Sequence, residues 1–122
     1  MKKINRHRWL FEPLEDLPGF ESRKMFGSLA AYFNGLLVLV LADGDEPWRG
    51  VLVPTEHESH AALIAEFPAL VPHPVLGKWL YLPESAASFE RDAQKLVERI
   101  RHLDARIGVL PEKKRPKLRP AR

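Results

Sequence analysis

Apolar positions along the chain follow two rhythms, a strand-like one in the first half and a helical one near the end. Leu29 to Phe33 and Leu36 to Leu41 are almost continuously apolar and flank Asn34-Gly35. Asn and Gly tolerate positive φ at successive positions, so this pair predicts a tight β-hairpin. Arg23 to Phe26 predicts a strand before it, with Gly27-Ser28 as a turn or bulge. Arg49 to Val53, closed by Pro54, and Trp79 to Leu82, closed by Pro83, predict two more strands. Phe89, Ala93, Leu96, Val97, Ile100, Leu103 and Ile107 recur at three- and four-residue steps, which predicts an amphipathic helix with Ser88 as its N-cap. Two shorter helices are expected. One covers residues 9–17, weakened by Pro13 and ended by Pro18-Gly19. The other starts at Thr55, with Glu58 three residues on as a capping box, runs through Leu63, Ile64 and Phe67, and ends at Pro68. Residues 68–77 contain three prolines and one glycine and read as a loop.

These elements predict an α+β fold of two layers. It comprises an antiparallel sheet of about five strands, two to three helices, and a long C-terminal helix. Residues 9–109 form the domain, residues 1–8 a flexible basic arm, and residues 110–122 a disordered basic tail. Leu36 to Leu41 is apolar on both faces, and a sheet face of that kind is rarely left to water. A homodimer through this sheet face is the expectation. The alternative is that the terminal helix and the proline-rich loop cover it within one chain.

Composition narrows the function classes. The chain has 122 residues and no cysteine, which excludes disulfides, thiolate catalysis and cysteine-ligated metal clusters. The apolar run from Leu36 to Ala42 is too short to span a bilayer and no leader pattern follows the basic start, so no membrane partner is expected and the reading is cytoplasmic. The net charge of +3 is uneven: residues 1–8 carry +4, residues 110–122 carry +5, and residues 9–109 carry −6. An acidic body argues against a basic nucleic-acid groove within it.

Arg23-Lys24-Met25-Phe26-Gly27, then Tyr32, then Asn34-Gly35 before an apolar strand, resembles the N-terminal domain of TfoX/Sxy competence regulators. Trp79-Leu80-Tyr81-Leu82-Pro83-Glu84 and the helix from Ser88 follow in the order that family shows, so the resemblance covers roughly residues 20–104. It implies a two-layer fold with an antiparallel sheet, shared with YjbR-type proteins, and a regulatory domain acting by protein–protein contact. Met25 and Phe26 would fill the core and Gly27 would permit a sharp bend. Ser28 stands where the family has a second glycine, and the loop over 43–50 is longer and contains Trp48. A basic tail stands in place of the family's C-terminal domain, so competence activation does not carry over.

Candidate chemistry is sparse. His57 and His60 are spaced i, i+3, one residue short of the i, i+4 pair of a zinc protease. With His73 as a third ligand they are the candidate metal site, and the alternative function is a metal-binding or hydrolytic protein. The plainer reading is that Glu56 and Glu58 complement a helix dipole and the histidines rim the core. Ser85 and Ser88 suit turn and cap roles rather than a nucleophile. Asp43 and Asp45 lack the full ligand pattern of a calcium loop. No phosphate-cradling glycine loop is present, and no cofactor is expected. The interaction candidates are Trp48 and Arg49 in the loop, and Lys113, Lys114, Arg115 and Lys117 in the tail. The tail would contact nucleic acid through phosphates alone, since no aromatics interleave with it. The leading expectation is a non-enzymatic interaction or regulatory domain with an unknown protein partner. A nucleic-acid-associated accessory protein using its basic ends is the second.

Overall fold

The computed structural model describes residues 5–25 and 27–111. Asn34 and Gly35 both adopt positive φ (53° and 86°) and join β2 (Ser28–Phe33) to β3 (Leu36–Asp43) by a two-residue hairpin. A second two-residue connection joins β1 (Phe20–Met25) to β2, with Gly27 at φ 80°. β4 (Arg49–Val53) pairs with β3, and β6 (Leu80–Pro83) pairs with β4. All pairings are antiparallel, and the sheet order is β1-β2-β3-β4-β6-β5. The sixth strand, β5 (Val71–Pro72), corrects the expectation of about five. It lies at the sheet edge inside the proline-rich stretch, where the missing Pro72 N–H costs no ladder bond on the solvent side.

Three helical segments pack on one face. A 3-10 helix runs over Arg8–Leu14, a short α1 over His60–Glu66, and the longest, α2, over Phe89–Arg101. Leu10, Phe11 and Leu14, Leu63, and Phe89, Ala93, Leu96, Val97 and Ile100 meet Leu39, Leu41, Val51, Val53, Leu80 and Leu82 in the main core. The fold is therefore α+β with an antiparallel sheet and a C-terminal helix, as its hydrophobic rhythm predicts. Among the described residues, no helix is long and apolar enough to cross a membrane.

The second sheet face carries Ala30, Leu37, Val40, Ala42, Leu52 and Tyr81, all buried. Trp48, Leu76, Trp79 and Val109 pack against them, and Val109 is tied to Leu37 by reciprocal main-chain bonds of 2.9 and 3.0 Å. The loop after β5 and the segment after α2 thus cover this face within one chain. Among the described residues, this cover is the one the alternative to a homodimer called for, with the proline-rich loop on the second face. Trp79, read as a strand residue, precedes β6 and is half-buried on this second cluster.

Two local expectations are corrected. Thr55 does not cap α1: it is fully buried, and its hydroxyl donates to the Arg106 carbonyl at 2.5 Å. The chain reaches α1 through a 3-10 turn at His57–Ser59, and no side chain caps either segment. Ser88 is the N-cap of α2, but its Oγ donates to Asp92 Oδ2 at 2.7 Å rather than capping the first-turn N–H groups. Met25 is half-buried against the second cluster, and Phe26 lies outside the described residues.

Candidate functional site

The strand β3 ends at Asp43 and β6 runs into Glu84, and the two carboxylates face the chain just before the 3-10 helix. Arg6 bridges them, with Nε to Glu84 Oε2 at 3.1 Å, Nη2 to Glu84 Oε1 at 2.7 Å and Nη1 to Asp43 Oδ1 at 2.5 Å. Arg49, opening β4, adds Nε to Glu84 Oε1 at 3.0 Å. The Arg6 bond holds the Glu84 carboxyl below the usual carboxylate range. Asn5 Nδ2 also donates to the Leu41 carbonyl at 2.8 Å. These bonds tie Asn5 and Arg6 to the ends of β3 and β6.

This anchoring carries His7 into the protein, 4% exposed, where its ring tilts against Phe89 with centroids 5.2 Å apart. Its Nε2 has no hydrogen-bond partner, and burial pushes its pKa down. A cleft of about 470 Å³ opens beside it, lined by Arg6, His7, Trp9, Glu84, the small Ala86 and Ala87, and the first turn of α2 from Phe89 to Arg91. Trp9 is 38% exposed on its wall. Arg91 has a side chain 70% exposed and forms an ion pair with Asp92 at 3.5 Å. The cleft thus combines an accessible indole, an exposed guanidinium, two alanines and charges of both signs. Sequence reasoning missed it: Arg6 and Glu84 are 78 positions apart, and no local spacing signals their pairing.

The residues singled out in sequence serve other ends. His73 is buried, and Nδ1 accepts from the Val75 and Leu76 N–H groups at 3.0 Å each. That fixes the proton on Nε2, which donates to the Pro47 carbonyl at 2.9 Å. Both ring nitrogens are thereby engaged, so His73 cannot complete a metal site with His57 and His60. The latter two rings lie 5.1 Å apart, and His60 Nε2 contacts the Lys78 carbonyl at 2.7 Å. Among the described residues, no group of three His, Asp or Glu side chains is placed to hold a metal.

Trp48 is a cover over the second sheet face rather than a free anchor. Its ring lies against His73, whose ring meets Tyr81 edge-on at 5.4 Å. The Tyr81 hydroxyl contacts Glu46 Oε1 at 2.8 Å and accepts from the Arg49 N–H at 3.0 Å. Burial, then the Glu46 bond, push its pKa up to about 12, so it is no base at neutral pH. Arg49 braces the same loop, with Nη1 donating to the Gly44 carbonyl at 3.1 Å. Lys113, Lys114, Arg115 and Lys117 lie outside the described residues. No protein-family model, curated protein or solved structure matches the chain.

Proposed function

We propose that this chain is a non-enzymatic interaction domain of the TfoX N-terminal type, and that it recognises a protein partner through the cleft between residues 6–9 and the start of α2. The observation that carries this reading is that the exposed Trp9 indole and the exposed Arg91 side chain line one cleft together with Ala86 and Ala87. Exposed tryptophan and arginine beside a concave surface are the side chains that most often dominate binding energy. The volume takes one or two side chains of a partner, an apolar or aromatic anchor flanked by charge. Away from the cleft, His73 and Tyr81 are engaged in internal hydrogen bonds, and within it Glu84 is paired with Arg6. Selection of a displayed peptide library on the immobilised full chain tests it. Selected peptides should lose at least about tenfold in affinity on Trp9→Ala, the loss of a hot-spot side chain. Peptides that bind wild type, Trp9→Ala and Arg91→Ala alike would contradict the reading.

The second reading, a nucleic-acid accessory role, rests on the charge of +5 over residues 110–122 against −6 over residues 9–109.

A further inference from the structure

Among the described residues the strand β1 is an open sheet edge: it pairs with β2 on one side only, and Glu21, Ser22, Arg23 and Lys24 are all exposed. Which main-chain groups it leaves free follows from the ladder. The Gly19 carbonyl accepts from the Asn34 N–H at 2.9 Å, and the hairpin closes on the Met25–Ser28 pair. Odd-numbered residues of β1 therefore bond to β2, and Ser22 and Lys24 direct their N–H and C=O groups away from the sheet, as does the Phe20 carbonyl, while the Phe20 N–H donates to the Leu17 carbonyl at 3.3 Å. The side chains divide by the same parity. Phe20 packs on the helical side, edge-on to Phe11 at 5.6 Å, whereas Arg23 lies over the Tyr32 ring on the other face at 5.2 Å.

We infer that β1 is a self-association edge, and that its partner is the β1 strand of a second copy of this chain, paired antiparallel about a two-fold axis at Ser22. Such an axis, normal to the sheet, keeps the faces aligned only if opposed residues have the same parity. Centred on Ser22, the outward groups of Ser22 meet those of its copy, and the Lys24 N–H meets the Phe20 carbonyl, for four main-chain hydrogen bonds. Glu21 then faces Arg23 of the second copy, and Arg23 faces its Glu21. These are the non-hydrogen-bonded positions, where opposed side chains are closest and opposite charges help most. Moving the axis to Glu21 or to Arg23 puts like charges against each other, so neighbouring registers are penalised. Charged edge strands usually repel intruding strands. Here the charges select one register of one strand, their own. The pairing leaves the α2 cleft free, so it stands or falls apart from the cleft reading.

Sedimentation velocity on the full chain across a concentration series tests this. Wild type is expected to pass reversibly from monomer to dimer, with association weakening as salt rises. Ser22→Pro removes an outward N–H that β2 does not use. It should keep the circular dichroism spectrum and abolish the dimer. Glu21→Arg should weaken association roughly tenfold by opposing like charges, and Glu21→Arg combined with Arg23→Glu should restore it. A wild type that stays monomeric at every concentration would overturn the inference. So would a dimer that survives both Ser22→Pro and Glu21→Arg.

Discussion

The Trp48 and His73 rings lie 4.3 Å apart at 50°, and the carbonyl of Pro47, next to Trp48, accepts the His73 Nε2–H bond. The two residues come from loops on either side of the second sheet face, and each holds the other over Leu52 and Tyr81. Removing the indole opens that face and leaves His73 with Tyr81 as its aromatic neighbour. Trp48→Ala should destabilise the fold by about 2–3 kcal/mol, below the range for a fully buried Trp because the ring is half-exposed. A urea unfolding curve measures this, and an unchanged midpoint would refute the covering role.

The pH dependence of stability follows from His73 and His7. Burial pushes both below their ordinary value of 6.5, so both are neutral in the fold while the unfolded chain still takes up protons there. Unfolded chains then bind more protons, and stability rises with pH. The contribution is fully present above pH 6.5 and is lost as pH falls through that value toward the lower folded values. Carboxylates held down by arginine, such as Glu66 beside Arg99 and Arg106, add their loss only at more acid pH. Urea midpoints should therefore already fall between pH 7.5 and 5.5, and His73→Gln should flatten that slope. A flat wild-type profile over this interval would show that neither imidazole is held neutral.

Two glycines separate backbone strain from crowding. A Cβ on Gly50, at φ 145°, would sit 2.3 Å from the Leu82 carbonyl oxygen and 2.8 Å from the Glu84 nitrogen, both backbone atoms that cannot swing aside. Gly50→Ala should cost more than about 3 kcal/mol and pull β4 from β6. Gly27, at φ 80°, has no atom within 4 Å of such a Cβ, so Gly27→Ala should cost only the conformational penalty, about 1–2 kcal/mol. Thermal unfolding of the two variants measures the difference.

What was legible in the chain is what local chemistry encodes. The spacing from Phe89 to Ile100 gives α2 its buried stripe, and Asn34-Gly35 forms the two-residue hairpin. The doubly apolar strand Leu36–Leu41 marks a sheet centre covered on both sides, although its pattern does not distinguish a second subunit from the chain's own loops as the second cover. What was not legible depends on distant partners. Thr55 resembles a cap by spacing, yet Arg106, 51 positions on, takes its hydroxyl. Residues 5–8 look like a solvated basic arm, because nothing near them announces Asp43 or Glu84 as counter-ions. β5 escapes any periodicity reading, since two residues with one proline have no pattern.

The basic tail has a separable test. If residues 110–122 bind nucleic acid, the full chain should hold duplex DNA with an affinity that falls steeply with salt, and a chain ending at Val109 should lose that binding. Fluorescence anisotropy at two salt concentrations measures both. Equal affinity of the two chains would remove the tail from any such role.

Recognition through the cleft at the start of α2 is tested directly by titrating a library-selected peptide into the ¹⁵N-labelled full chain, with shift changes read residue by residue. The Trp9 indole and the amides of Ala86, Ala87, Glu90 and Arg91 should move together and saturate. Perturbations confined to the Trp48 loop or to β1, with those signals stationary, would contradict it.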